Sequence, residues 1–238
     1  MPARDRLIVA LDLASATQAR QVIQALGESV TTYKVGKRLF TAEGPQFVRE
    51  LIASGLKVFL DLKFHDIPNT VGAAVRSAAE LGVSMLTVHA SGGSRMLKAA
   101  AEAAAQSAAK PTVLAVTVLT SLSDADLQEI GVSGTVLGQV LRLGALARTA
   151  GCGGLVASAK EARELRRELG EGFLIVTPGV RPAGVEAGDQ ARVVTPRDAI
   201  VAGASHIVVG RPILETRDPA EAARAIVAEM APALSGVG

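Results

Sequence analysis

The sequence predicts an α/β protein, one domain folded as a (β/α)8 TIM barrel, and three observations carry that prediction. Short apolar runs recur about eight times along the 238 residues, and most are followed by room for a helix. The segments between them are alanine-rich, dotted with charge and spaced as amphipathic helices are. No Gly-x-Gly-x-x-Gly turn follows the first run, which leaves the doubly wound open sheet as the weaker alternative. Near-continuous apolar strands alternating with helices argue for a parallel sheet covered on both faces. Barrels of this length are commonly one domain.

Taken in order, Leu7–Leu11 is the first predicted strand, a run of aliphatic residues closed by Asp12. Ala16–Leu26 follows with helical spacing, then the strand Thr32–Val35, which carries a lysine, and the helix Pro45–Ser54. Val58–Leu60 is short, apolar and ends in charge, and Val71–Leu81 is the helix after it. Met85–Val88 precedes Ala99–Ala109, a low-complexity stretch read as a helix with a small-residue packing face. Val113–Leu119, Leu155–Ala157, Phe173–Val176 and Ile207–Val209 complete the strands, with Lys160–Leu169 as the helix between the second and third of these. No Pro/Gly/Ser-rich linker divides the chain.

Composition narrows the function classes. Hydrophobic residues make up 49% of the chain, enough for a sizeable core, but aromatics only 3%, so small aliphatic side chains must fill it. A net charge of +2, with no basic tract interleaved with aromatics, argues against nucleic acid as a partner. The single Cys152 excludes an internal disulfide framework and fits a reducing cytoplasm. The opening MPARDRLIVALDL is too short in apolar residues for a signal peptide, and no segment approaches a membrane span. The expectation is a soluble cytoplasmic protein.

In a barrel of this kind, active sites gather where strands end and the following loops begin. The polar residues closing the apolar runs are therefore the candidates: Asp12, Lys34, Asp61 with Lys63, His89, Thr120, Ser158, Thr177 and Gly210 with Arg211. The segment DLKFHDIPNT at 61–70 is the most informative of these, because it delivers Asp61, Lys63 and Asp66 directly after an apolar run. If strand geometry persists, Asp61 and Lys63 face the same side. Lys34 has two readings, a helix-facing lysine snorkelling to water or an inward one. Pointing inward, it completes an alternating Lys34, Asp61, Lys63, Asp66 array. Lysines fixed among carboxylates suit proton donation, whereas a Schiff-base lysine needs a depressed pKa.

The chain's later turns read as anion sites. Val209-Gly210-Arg211-Pro212 places a glycine, an arginine and a helix-starting proline after a strand, where the last barrel loops often hold phosphate. An ordinary turn with a solvated arginine is the alternative. Thr177-Pro178-Gly179-Val180-Arg181-Pro182 leads into a long polar stretch through Gln190, a length typical of lids, so Arg181 and Gln190 could close over a phosphorylated ligand. His65, His89 and His206 show no zinc-ligand spacing, and Ser158 follows no nucleophile-elbow pattern, so neither a metal site nor a serine hydrolase is expected.

These residues resemble the orotidine 5′-phosphate decarboxylase family. The matching blocks are Ala10-Leu11-Asp12, Lys34-Val35-Gly36, DLKFHDIPNT at 61–70, VHASGG at 88–93, TVLTS at 117–121, TPGVRP at 177–182, GDQARVVTP at 188–196 and VVGRPI at 208–213. They run through most of the chain. Asp-x-Lys alone is shared with sugar-phosphate decarboxylases; the extension through Thr70 and the 188–196 block are more specific. The resemblance implies that Lys63 protonates C6 of the pyrimidine as carbon dioxide leaves, with Asp61 against the substrate carboxylate. It implies that Asp12 and Lys34 hold ribose hydroxyls, that Thr120 meets the pyrimidine edge, and that Arg181, Gln190, Gly210 and Arg211 bind the 5′-phosphate. Asp66, Ile67 and Thr70 would reach the partner subunit's site in a homodimer with shared active sites. No cofactor is implied.

Two rivals remain at this point. One is a sibling decarboxylase acting on a 3-keto sugar phosphate with Mg²⁺ on the same Asp-x-Lys. The other is a non-catalytic nucleotide-binding barrel, which would have no need to keep Lys34, Asp61, Lys63 and Asp66 together.

Overall fold

Runs such as Leu7-Ile8-Val9-Ala10 put β-branched and aliphatic side chains on both faces of a strand, and both faces are buried. The computed structural model describes residues 1–182 and 194–235. Its strands are β1 (Leu7–Ala10), β2 (Thr32–Gly36), β3 (Lys57–Phe64), β4 (Met85–His89), β5 (Thr112–Val116), β6 (Gly154–Val156), β7 (Leu174–Thr177) and β8 (His206–Val209). They pair in parallel, each with the next, and β8 returns to β1, closing the barrel. The eight-stranded expectation holds, with strand ends shifted by a few residues.

Outside the barrel lie α1 (Ala16–Leu26), α2 (Lys37–Ala53), α3 (Pro68–Glu80), α4 (Gly93–Gln106), α5 (Asp124–Glu129), α6 (Val136–Thr149), α7 (Ala159–Leu169), α8 (Pro196–Val201), α9 (Arg211–Leu214) and α10 (Pro219–Ser235). The α1 span matches the sequence reading, helped by Ser15, whose hydroxyl accepts from Gln18 N–H at the first turn. α2 begins earlier than Pro45, because two helical pieces meet at Gly44, where φ is 66°. Only glycine takes that angle without strain, and Pro45 then opens the second piece.

Two apolar layers result. Ile8, Ala10, Phe59, Met85, Leu114, Val176 and Val208 fill the barrel interior, and a larger layer between strands and helices holds Tyr33, Leu60, Leu86 and Leu97. Strand parity follows directly: Ile8 and Ala10, or Phe59 and Asp61, share the inner face two residues apart. At Gly154 the strands come so close that a Cβ would lie 2.6 Å from Leu174 O, so β6 requires glycine there.

Candidate active site

Lys34, Asp61 and Thr87 share the inner face of the strands and carry polar groups up to the carboxyl-end mouth. Lys34 follows Thr32 by two residues on β2, and that parity aims it inward. This settles the two readings of Lys34 in favour of the barrel mouth, where it is 9% exposed. Its Nζ donates to Asp12 Oδ1 at 2.9 Å and lies 3.6 Å from Asp61 Oδ2. Lys63 Nζ donates to Asp61 Oδ1 at 2.7 Å. The result is a continuous row, Asp12–Lys34–Asp61–Lys63, in which each lysine meets a carboxylate.

The row is held by a break in the sheet. Between the pairs Leu60↔Leu86 and Phe64↔Val88, three residues of β3 face one residue of β4. Lys63 takes a φ of 55°, a left-handed angle that costs a lysine ~1 kcal/mol or more. Asp61 and Lys63 therefore converge through a bulge and not through the persisting strand geometry that their spacing alone suggested. Thr87 sits opposite, fully buried. Its Oγ1 accepts from Lys63 N–H at 2.9 Å and its hydroxyl donates to Asp61 Oδ1 at 3.0 Å.

Electrostatics favour an ionised Asp61. Burial opposes ionisation, but Lys34, Lys63 and the hydrogen bonds from Lys63 and Thr87 together outweigh it and hold the carboxyl below its ordinary value. At Gly36 a Cβ would lie 3.0 Å from Lys34 Nζ and 3.2 Å from Asp12 Oδ1, so glycine leaves this pair its room.

The row forms one wall of a cavity of about 890 Å³. Ala10, Phe59, Val116, Val156 and Val208 give it an apolar floor, and Thr120, Arg181, Gly210 and Arg211 line it as well. Arg181 is 6% exposed, and Val180 bridges to Val194, with Arg181 N–H donating to Val194 O at 3.0 Å. Burial first, and Arg211 second, push the Arg181 guanidinium below its usual value, while Glu215 opposes them. Arg181 and Arg211, with the lysines of the row, make the lining suited to an anionic ligand.

Other candidates lie elsewhere. Asp66, Ile67 and Thr70 are exposed and outside the cavity, and Asp66 Oδ1 accepts from Ile67 N–H at 2.6 Å. Within one chain the alternating array therefore starts at Asp12 and does not include Asp66. Three of the polar residues closing strands are also absent from the cavity. Ser158 caps α7 in a reciprocal pair with Glu161, His89 packs against His65 with ring centroids 5.4 Å apart, and Thr177 is enclosed. Gln190 lies outside the described residues. Lys37, Arg38 and Glu215 line the mouth but were not singled out in the sequence, nor was Thr87. A polar residue two before His89 in an apolar strand was the one available signal for Thr87.

A closed parallel barrel with an ion-paired, arginine-walled cavity at its carboxyl end is the architecture of an anion-binding barrel protein. The chain belongs to the orotidine 5′-phosphate decarboxylase / HUMPS family, whose model matches residues 5–226. It is 53% identical over 233 residues to the orotidine 5′-phosphate decarboxylase of Halorhodospira halophila, covering 98% of this chain and 99% of that one. The protein of the same name from Moorella thermoacetica is 50% identical over 236 residues, 97% of this chain and 94% of its own. Among solved structures, the orotidine 5′-phosphate decarboxylase of Lactobacillus acidophilus superposes with a TM-score of 0.84 at 40% identity, covering 95% of this chain and 99% of that one.

Proposed function

We propose that this chain decarboxylates orotidine 5′-phosphate to UMP in pyrimidine biosynthesis, without metal or organic cofactor. The observation that carries the reading is the Asp12–Lys34–Asp61–Lys63 row facing a cavity that Arg181 and Arg211 also line. The names of relatives about half identical over nearly the whole chain support the same substrate.

In this reading the 5′-phosphate lies against Arg181, Gly210 and Arg211; Gln190, outside the described residues, is proposed as a further phosphate ligand. Asp12 and Lys34 take ribose hydroxyls, and Thr120 meets the pyrimidine edge. The substrate carboxylate then falls beside Asp61. As the C6–carboxyl bond breaks, its electron pair stays on C6, carbon dioxide departs, and Lys63 Nζ delivers a proton to C6. The carbanion has no resonance sink, so a preformed ammonium is what stabilises it.

The barrier reduction required is ~20 kcal/mol or more. A general acid contributes ~10²–10⁴-fold, about 3–5 kcal/mol, so Lys63 alone falls far short. Phosphate binding remote from C6 supplies much of the remainder by positioning the ring, together with the fixed charges of the row. Asp66, Ile67 and Thr70 complete the site of the neighbouring subunit in a cytoplasmic homodimer, each chain being one barrel domain.

The test follows loss of orotidine absorbance with purified, chelator-treated protein. Undiminished turnover of orotidine 5′-phosphate supports the reading. No turnover overturns the reading and favours the sugar-phosphate alternative, whereas turnover abolished by chelator and restored by Mg²⁺ overturns its metal independence.

A further inference from the structure

We propose that Thr87 is a positioning residue for the reaction: its hydroxyl sets the backbone of Lys63 and the carboxylate of Asp61 in register, so that the proton donor is aimed before substrate arrives. The proposal rests on the decarboxylase reading for its kinetic consequence, but its structural core stands on the geometry of the chain itself. Thr87 does not line the cavity, so it acts through its neighbours and not on the substrate.

The ladder has a gap at this point. β2 pairs with β3 only as far as Asp61, and β4 resumes pairing at Phe64, so Leu62 and Lys63 belong to no ladder pair on either side. A buried N–H without a partner is costly, and the sheet offers none here. Thr87 Oγ1 accepts from Lys63 N–H at 2.9 Å in the place of a ladder carbonyl. The same oxygen carries a hydrogen, which it donates to Asp61 Oδ1 at 3.0 Å. A threonine hydroxyl is suited to this double task, since it donates once and accepts through its lone pairs.

Thr87 is itself held firmly. It pairs with Leu114 in a β4–β5 ladder of five consecutive residue pairs, and it is 0% exposed. Its β-branched side chain has little χ1 freedom, so the hydroxyl direction is set by the strand. The consequence is a three-point fixture: Thr87 Oγ1, Asp61 Oδ1 and the Lys63 backbone form one closed circuit with Lys63 Nζ, which returns to Asp61 Oδ1 at 2.7 Å. Lys63 keeps its left-handed φ of 55° within that circuit. Without the hydroxyl, nothing else among the described contacts holds Lys63 N–H, and the Lys63 ammonium loses the aim that positioning requires.

The experiment compares the full-length enzyme with Thr87→Val, Thr87→Ala and Thr87→Ser. Two measurements are made: steady-state decarboxylation of orotidine 5′-phosphate, and the ¹³C NMR titration of the Asp61 carboxyl in substrate-free protein. Losing a buried hydrogen bond to a charged group is expected to lower kcat about 10- to 100-fold in the Val and Ala variants while KM moves little. Thr87→Ser, which keeps the hydroxyl, retains turnover within a few-fold of wild type. The Asp61 carboxyl titrates at higher pH in the Val and Ala variants than in wild type or Ser, because one bond favouring the carboxylate is gone. Should Val fail to fold, Ala carries both readouts. Turnover of the Val or Ala variant within about twofold of wild type overturns the proposal, as does an unchanged Asp61 titration. Wild-type protein that does not decarboxylate orotidine 5′-phosphate overturns the functional reading instead, and the titration still decides the Thr87 contact.

Discussion

Arg181 and Arg211 both line the cavity, and the charge of Arg181 is disfavoured first by its burial and then by the like charge of Arg211. A bound dianion would lie between groups that otherwise repel, so phosphate affinity is strongest where both remain. Arg211→Ala is expected to weaken binding of 5′-phosphorylated ligands by tenfold or more, on the order of 1.5–3 kcal/mol for a charge-assisted hydrogen bond. The truncated nucleoside should be nearly unaffected. Measured dissociation constants for UMP and uridine check this. Equal losses on both would remove Arg211 from the phosphate site.

Ile67 is 66% exposed beside an exposed Asp66, in a loop that leaves the cavity of its own chain. If Asp66 serves the neighbouring subunit, Lys63→Ala and Asp66→Ala homodimers are each inactive, whereas their heterodimer contains one intact site. Subunit exchange of equal amounts gives roughly half heterodimers, so activity should return to about a quarter of wild type. Exchange demonstrated by mass, with activity still at the level of the separate mutants, would assign Asp66 to its own chain or to no site.

His206 opens β8 at the far end of the barrel, buried, with no hydrogen-bond partner for Nδ1 among the described residues. Burial, then Arg6 and Lys57, push its pKa down to about 4, against a weaker pull from Asp5. The unfolded chain therefore binds this proton more readily than the folded one, and stability falls as pH drops from about 6.5 towards 4. Between pH 7 and 5 the loss should approach ~2 kcal/mol. Urea unfolding at the two pH values checks it: the pH-dependent loss should largely vanish in His206→Gln. An equal loss in that variant would show that other groups drive the acid sensitivity.

Much of this molecule was legible in its sequence because strands buried on both faces announce themselves as apolar runs. The α1 span agreed residue for residue, and Asp12, Lys34, Asp61 and Lys63 were all marked by charge at strand ends. The end of β3 was harder: Val58–Leu60 looked complete, yet the strand continues to Phe64 through charged residues, because the bulge lets Asp61 and Lys63 pair. Thr87 was hard to single out for the opposite reason. Threonine is at home in any strand, and only the register of β3 against β4 shows that its hydroxyl replaces a ladder partner. Ser158, by contrast, looked like a rim residue, but its hydroxyl and its partner Glu161 are occupied in starting α7.

In the proposed reaction Lys63, fixed by Asp61 at 2.7 Å, gives the proton to C6. The most direct measurement is turnover of orotidine 5′-phosphate by Lys63→Ala beside its dissociation constant for UMP. A group that acts mainly in the transition state should cost ~10²-fold or more in kcat when removed, while UMP affinity changes far less. A variant that keeps more than about a tenth of wild-type turnover would contradict the assignment of Lys63 as the general acid.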